Sequence, residues 1–133
     1  MQRCVQSWPA RPEHVGSARR AASVAALRAG AEAPVQDAVR LAVSEAVSNV
    51  IVHGYRQSPE AGDFTVAVEW DLDLLWVTVR DQGCGMRPRM DSPGAGLGLP
   101  LIANVTDSFS VTALEEGGTE VCMTFPLRAL TAA

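Results

Sequence analysis

The sequence predicts a two-layer α/β sandwich, with a mixed, mostly antiparallel sheet and helices on one of its faces. Apolar residues recur at helical spacing through the first third of the chain and later alternate with polar residues, as strands do. The predicted strands come in neighbouring pairs joined by short turns, which favours antiparallel pairing. The length of 133 residues suits one core, so we expect residues 1–133 to form a single domain.

The predicted elements begin with a short strand at residues 2–8, followed by two helices. The first helix is expected from Glu13 to about Gly30, because glycine is a typical helix stop. The second is expected from about Val35 to His53, with Gly54 as its end. The core-facing residues expected on the two helices are Val15, Ala18, Ala22, Ala25, Leu27, Val39, Ala42, Val43, Ala46, Val47 and Val50.

The second half of the chain is predicted to form two hairpins separated by an irregular segment. Strands are predicted at residues 63–71 and 74–81, and again at 108–114 and 119–127. Residues 82–98 contain five glycines and two prolines, and irregular loops of this length are commonly functional. A short helix is expected to follow at Leu99–Val105. The inward-facing strand residues expected are Phe64, Val66, Val68, Trp70, Thr119, Val121, Met123 and Phe125.

Composition excludes several classes of function. The net charge of −4 argues against direct nucleic-acid binding. All eleven basic residues are arginine, so neither a Walker-A lysine nor lysine Schiff-base chemistry is available. The three cysteines lack metal-ligand spacing and are expected to be free thiols. No apolar run is long enough for a membrane span and the first residues do not resemble a signal peptide, so we expect a soluble, cytoplasmic protein without a membrane partner.

The stretch SEAVSNVIVHGY, residues 44–55, carries the first candidate site. Glu45 and Asn49 are four residues apart, so they lie on one face of the second helix, one turn from each other. A carboxylate and a metal-capable amide would then project together from a helix that is otherwise apolar. A solvated polar face is the alternative interpretation.

Two glycine clusters follow further along the chain. In DQGCGM, residues 81–86, Asp81 ends a predicted strand, and the glycines at 83 and 85 allow close approach of a flat ligand. In GAGLGLPLI, residues 94–102, a glycine-rich loop opens a short helix and offers N–H groups to an anion. A simple turn and a flexible loop, respectively, are the alternatives.

The order of these three motifs resembles the GHKL superfamily of ATP-binding domains, whose architecture is the Bergerat ATPase fold. Within that superfamily, SEAVSNVIVHGY is similar to the form in the bacterial anti-sigma-factor serine/threonine kinases. The resemblance extends from Arg3 to Leu127. It implies a histidine-kinase-like ATPase domain that binds ATP and Mg²⁺.

The resemblance also implies a role for each matching residue. Glu45 would be the general base, Asn49 would coordinate Mg²⁺, and Asp81 would accept a hydrogen bond from the adenine amine. Thr119, in GGTEV, matches the threonine that lies near adenine. The glycines of the adenine pocket would be Gly83 and Gly85, and the phosphate lid would contain Gly94, Gly96, Leu97 and Gly98. The lid is short, which disfavours a fast ATPase.

Two interpretations of their role remain open for several residues. His53 matches the HGY pattern of the family, and a structural role is preferred for it. Arg87 and Arg89 either neutralise phosphate or belong to a solvated lid. Arg19 and Arg20 either form the basic first-helix surface that such kinases use for partners or are an ordinary solvated face.

The function implied is that of an ATP-dependent protein serine/threonine kinase acting as an anti-sigma factor. Its partners would be a STAS-type antagonist, which it phosphorylates, and a sigma factor, which it sequesters; a homodimer is expected because homodimers occur in the family. The alternative is a non-catalytic module of the same fold in which ATP gates protein binding, and Glu45 discriminates between the two. A two-component histidine kinase is disfavoured, because His14 lies in the first helix and no separate helical hairpin carries a phosphoacceptor.

Overall fold

The structure is a computed structural model that describes residues 1–57, 62–81, 105–115 and 117–128, and for residues 53–57 it describes the backbone alone. The elements within these residues are strands β1 (Gln2–Pro9), β2 (Asp63–Trp70), β3 (Leu74–Asp81), β4 (Ser108–Ala113) and β5 (Thr119–Pro126), and helices α1 (Val15–Arg28) and α2 (Ala33–Gln57). A 3-10 turn at Pro12–His14 leads into α1. Neither helix contains, within the described residues, an apolar stretch that could cross a membrane.

The five described strands form one sheet in the order β1-β2-β3-β5-β4. Every neighbouring pair is antiparallel. The predicted hairpins are both present, and β5 lies between β3 and β4, so the last hairpin folds back onto the first. The β4–β5 turn includes Gly117 and Gly118, whose φ angles of 91° and 97° are readily adopted only by glycine.

Both helices cover the same face of the sheet, which confirms the predicted two-layer α/β sandwich. α1 packs on β1 and β2, whereas α2 packs on β3 and β5. Strand alternation directs large apolar side chains toward the helices, and burying each stabilises the fold by roughly 1.5–3 kcal/mol. The largest apolar side chains with under 2% exposure are Phe64, Phe125, Leu75, Met123, Val39, Val43, Val47, Val77 and Val79.

The opposite face of the sheet carries polar side chains that pair across neighbouring strands. Ser7 Oγ on β1 and Thr65 Oγ1 on β2 lie 2.8 Å apart. Arg80 Nη2 on β3 lies 2.7 Å from Glu120 Oε2 on β5. A sheet with one apolar and one polar face is typical of antiparallel architecture.

Several details of the sequence prediction need correction, among them the start of α1, which is Val15 rather than Glu13. Gly54 does not end α2, because the helix continues to Gln57. Leu27 does not face the core, since it is 60% exposed and Ala26 is buried in its place. β1 extends one residue further than predicted, to Pro9. The short helix predicted at 99–105 lies outside the described residues, except for Val105.

Candidate functional site

Asp81 is a buried carboxylate at the end of β3. Its side chain is 7% exposed, and its Oδ2 atom is fully buried. It pairs with Phe64 on β2 and follows Val79 on the helix-covered side of the strand. A carboxylate in this position faces the apolar interior, where electrostatic interactions are stronger than in water.

Thr119 lies beside Asp81 at the same end of the sheet. The β3–β5 register pairs Val79 with Val121 and Arg80 with Glu120, so the next position sets Asp81 against Thr119. Thr119 is 1% exposed. These two are the buried polar residues among those described, and the register brings them together from strands that are distant in sequence.

Helix α2 runs toward this end of the sheet. Its start is anchored at the other end, because the N–H of Glu32 donates to the carbonyl of Leu127 at 3.0 Å, and the N–H of Leu127 donates to the carbonyl of Asp73. From Glu32 to Asn49 the helix rises about 26 Å at 1.5 Å per residue. The distance along β5 from Leu127 back to Thr119 is about 27 Å at 3.4 Å per residue. A helix running alongside β5 over this length would bring Asn49 to the level of Thr119, with Glu45 one turn before it.

Glu45 and Asn49 occupy one flank of α2. Both are half-buried, next to the fully buried Ala46 and Val50. Leu41, one turn before Glu45, is 38% exposed, so this flank adjoins the solvent-exposed stripe of the helix. The two predicted site residues therefore lie at the border of the core, as the side chains of a pocket wall do.

The donor set fits a magnesium ion that is held largely by a ligand. Among the described residues, no group of three or more His, Cys, Asp and Glu side chains could hold a metal ion. Mg²⁺ commonly takes one or two protein oxygens and completes its shell with water and substrate phosphates. The half-buried amide of Asn49 suits such a role.

The remaining predicted site residues lie outside the described residues. These are Gly83, Gly85, Gly94, Gly96, Leu97 and Gly98, together with Arg87 and Arg89. His53 lies in α2, and its side chain is not described. The roles assigned to all of them stay predictions.

Two features were missed by sequence reasoning. Polar pairs join α1 to α2, and their only sequence signal is an arginine and a serine four residues apart on each helix, Arg19 with Ser23 and Arg40 with Ser44. A cavity of about 560 Å³ also opens between β1 and α1. It lies on the β1 side of the sheet, away from β5, and has no signal in the sequence pattern.

Comparison with known proteins places these features in a family context. A family model described as a histidine kinase-like ATPase domain matches residues 8–125. The serine-protein kinase RsbW of Staphylococcus epidermidis is 31% identical over 130 residues, covering 86% of this chain and 80% of that protein.

A second relative and a solved structure are also similar. The anti-sigma F factor of Oceanobacillus iheyensis is 33% identical over 97 residues, covering 65% of this chain. The matched region spans 66% of that factor, just under two thirds of its length. A crystal structure of the RsbU and RsbW domains of a Mycobacterium tuberculosis protein matches 98% of this chain and 35% of that one, with a TM-score of 0.72 and 19% identity. This last match shows a shared fold.

Proposed function

Because the chain belongs to the family of histidine kinase-like ATPase domains, we propose that it is an ATP-dependent protein serine/threonine kinase that acts as an anti-sigma factor. The observation that carries the proposal is the buried pair Asp81 and Thr119 at one end of the sheet. Helix α2, which carries the half-buried Glu45 and Asn49, starts at the other end of the sheet and is long enough to reach this one. Similarity to proteins named serine-protein kinase and anti-sigma F factor supports it.

In this proposal the sheet binds the adenine, and helix α2 acts at the phosphates. Asp81 accepts a hydrogen bond from the adenine amine, and Thr119 contributes a hydroxyl beside it. Asn49 would hold Mg²⁺, which when bound neutralises phosphate charge. The glycine-rich segment that contains Gly94 would close over the phosphates, as the resemblance implies.

Glu45 acts as the general base in the transfer step. It accepts the proton of a serine or threonine hydroxyl on the protein substrate while the hydroxyl oxygen bonds to the γ-phosphorus. The bond from that phosphorus to the β,γ-bridging oxygen breaks, and ADP leaves. The product is a phosphoprotein.

The proposed substrate is a small STAS-type antagonist, and the proposed sequestered partner is a sigma factor. The names of the relatives support a sigma factor as a partner and a protein serine as the phosphate acceptor. Phosphorylation would release the antagonist and free the kinase to bind the sigma factor. A homodimer and a cytoplasmic location remain predictions.

The decisive experiment measures transfer of labelled γ-phosphate from ATP to candidate STAS-type proteins from the same cell. Glu45→Gln should lower the transfer rate by about 10²–10⁴-fold, because general-base catalysis contributes roughly that factor. Glu13→Gln is the matched control, since Glu13 is exposed in the 3-10 turn before α1.

Two outcomes would reject the kinase. One is absence of transfer to every candidate by the wild-type protein. The other is transfer that Glu45→Gln leaves unchanged. If no candidate is phosphorylated, ATP-dependent capture of a sigma factor would instead favour the alternative, a non-catalytic module gated by ATP.

A further inference from the structure

Two reciprocal polar contacts join α1 to α2. Arg19 Nη1 on α1 donates to Ser44 Oγ on α2 at 3.4 Å. Arg40 Nη1 on α2 donates to Ser23 Oγ on α1 at 2.9 Å. Each helix thus supplies one arginine and one serine, one turn apart. We call these four residues the arginine–serine clasp.

Further contacts hold the α2 half of the clasp in place. Ser44 Oγ donates to the carbonyl of Arg40 at 2.7 Å, and Arg40 also forms an ion pair with Asp37. Arg40, Ser23 and Ser44 are all half-buried. Hydrogen bonds with a charged donor are stronger than neutral ones, and partial burial limits competition from water.

On the α1 side, the apolar contact beneath the clasp is built of small side chains. The buried residues of α1 are Ala18, Ala22, Ala25 and Ala26. On α2, the buried residues beside Arg40 and Ser44 are larger and include Val43 and Val47. Alanine faces form shallow ridges, so they resist rotation of one helix against another less than interlocked large side chains do. Because the α1 face is smooth, the polar contacts add a directional element to this interface.

The clasp and the candidate site lie on opposite flanks of α2. At 3.6 residues per turn, Arg40 and Ser44 lie on the flank facing α1, and Glu45 and Asn49 lie on the flank facing away. With a helix radius of about 5–6 Å including side chains, a roll of roughly 20° would move a side-chain end by about 2 Å. Displacement of a catalytic group by 1 Å can cost about 10²-fold in rate.

We propose that Arg40 and Ser44, together with Ser23 and Arg19, are positioning residues. They fix the rotation of α2 about its axis and thereby orient Glu45 and Asn49. This proposal rests on the proposed kinase function for its effect on rate. The base of ATP would be held by Asp81 and Thr119 on the sheet, so loss of the clasp affects the transfer step more than nucleotide affinity.

The test compares Ser23→Ala, Arg40→Met and the double variant in single-turnover transfer of labelled phosphate to the antagonist that the wild-type protein phosphorylates. Each single variant should lower the transfer rate by about ten-fold, well within the cost of a small displacement. The dissociation constant for ATP measured without Mg²⁺ should change by less than about two-fold, since the clasp does not touch the nucleotide and Asn49 would act through the ion. The double variant should resemble the singles, because both remove the same contact.

Two further comparisons separate positioning from a merely structural role. Arg40→Lys retains a donor for Ser23 and should recover most of the rate. In a Glu45→Gln background, clasp substitutions should have a much smaller effect, because no base remains and only Asn49 is still oriented by the clasp. Arg28→Met is the matched control, since its guanidinium on α1 contacts Cys4 on β1 instead.

The outcomes distinguish failure of the clasp from failure of the kinase. Wild-type transfer rates in Ser23→Ala and Arg40→Met would overturn the positioning role. So would a loss of rate in the Glu45→Gln background as large as the loss in the wild-type background. If the wild-type protein transfers no phosphate, hydrogen exchange at residues 40–50 still decides: faster exchange in both clasp variants than in Arg28→Met supports the clasp, and unchanged exchange rejects it.

Discussion

Substitution of Asp81 by asparagine tests whether the buried end of β3 binds adenine. The change is nearly isosteric and removes the negative charge from a side chain that is 7% exposed. A hydrogen bond to a charged group contributes about 1.5–3 kcal/mol. Since about 1.4 kcal/mol corresponds to a tenfold change in affinity, full loss would weaken ATP binding by roughly 10–150-fold. The asparagine carbonyl still accepts a neutral hydrogen bond, so we expect the lower part of this range, about 10–30-fold.

Nucleotide choice provides a second, independent readout. Inosine triphosphate carries a carbonyl where ATP carries the amine, so the wild-type carboxylate should disfavour it. Asparagine can donate from its amide to that carbonyl. Asp81→Asn should therefore reduce the preference for ATP over inosine triphosphate as well as the affinity for ATP. Titration calorimetry with both nucleotides measures the two effects together.

The matched control is Asp73→Asn, because Asp73 is exposed at the opposite end of the β2–β3 hairpin. It should bind both nucleotides as the wild-type protein does. Thermal unfolding of each variant checks that the fold is retained. Affinity within about two-fold of wild type for Asp81→Asn, with an unchanged nucleotide preference, would refute Asp81 as the adenine acceptor, since even one weak hydrogen bond is worth more.

Three other predictions test the site and the core. Asn49→Ala should remove most of the strengthening of ATP binding by Mg²⁺, roughly ten-fold, in calorimetric titrations with and without the ion; equal Mg²⁺ dependence would exclude Asn49 as a ligand. Phe125→Ala should cost about 3–5 kcal/mol in urea unfolding, because the ring is 1% exposed, whereas Leu72→Ala, at a residue 94% exposed, should change stability by less than about 0.5 kcal/mol; similar costs would contradict the core assignment. The pKa of Asp71 is lowered by the hydrogen bond from the Leu74 N–H. It therefore contributes stability that is present above the ordinary pKa of aspartate and is lost as the pH falls through the lowered value, so Asp71→Asn should flatten the acid limb of the stability curve, and an unchanged limb would contradict this.

The layers of the fold were predictable because local pattern determines them. The apolar set predicted for the second helix, such as Val39 and Val43, is buried throughout, and so are the alternating residues of the strands. The exposure of Leu27 was not predictable in the same way. α1 is rich in Ala, Val and Leu on several sides, and Val24 is also 50% exposed, so apolar spacing does not mark which face is covered.

The end of α2 shows how tertiary packing overrides a local signal. Glycine inside a helix costs about 1 kcal/mol relative to alanine, so Gly54 was a reasonable stop. α2 has 25 residues and packs on both β3 and β5, and burial of that length outweighs the cost of one glycine. At Gly30, by contrast, the chain turns with a φ of 91°, and there glycine does end the preceding helix.

The candidate site likewise has one part that local sequence predicts and another that depends on tertiary structure. The pairing of Glu45 with Asn49 follows from helical spacing and needs no structure. The adjacency of Asp81 and Thr119 does not, because it depends on β5 entering the sheet beside β3 rather than at its edge. The clasp likewise depends on the register between two helices. The sequence does not determine the rotation of α2 about its axis. That rotation decides whether Glu45 can act as a base or is an ordinary surface carboxylate.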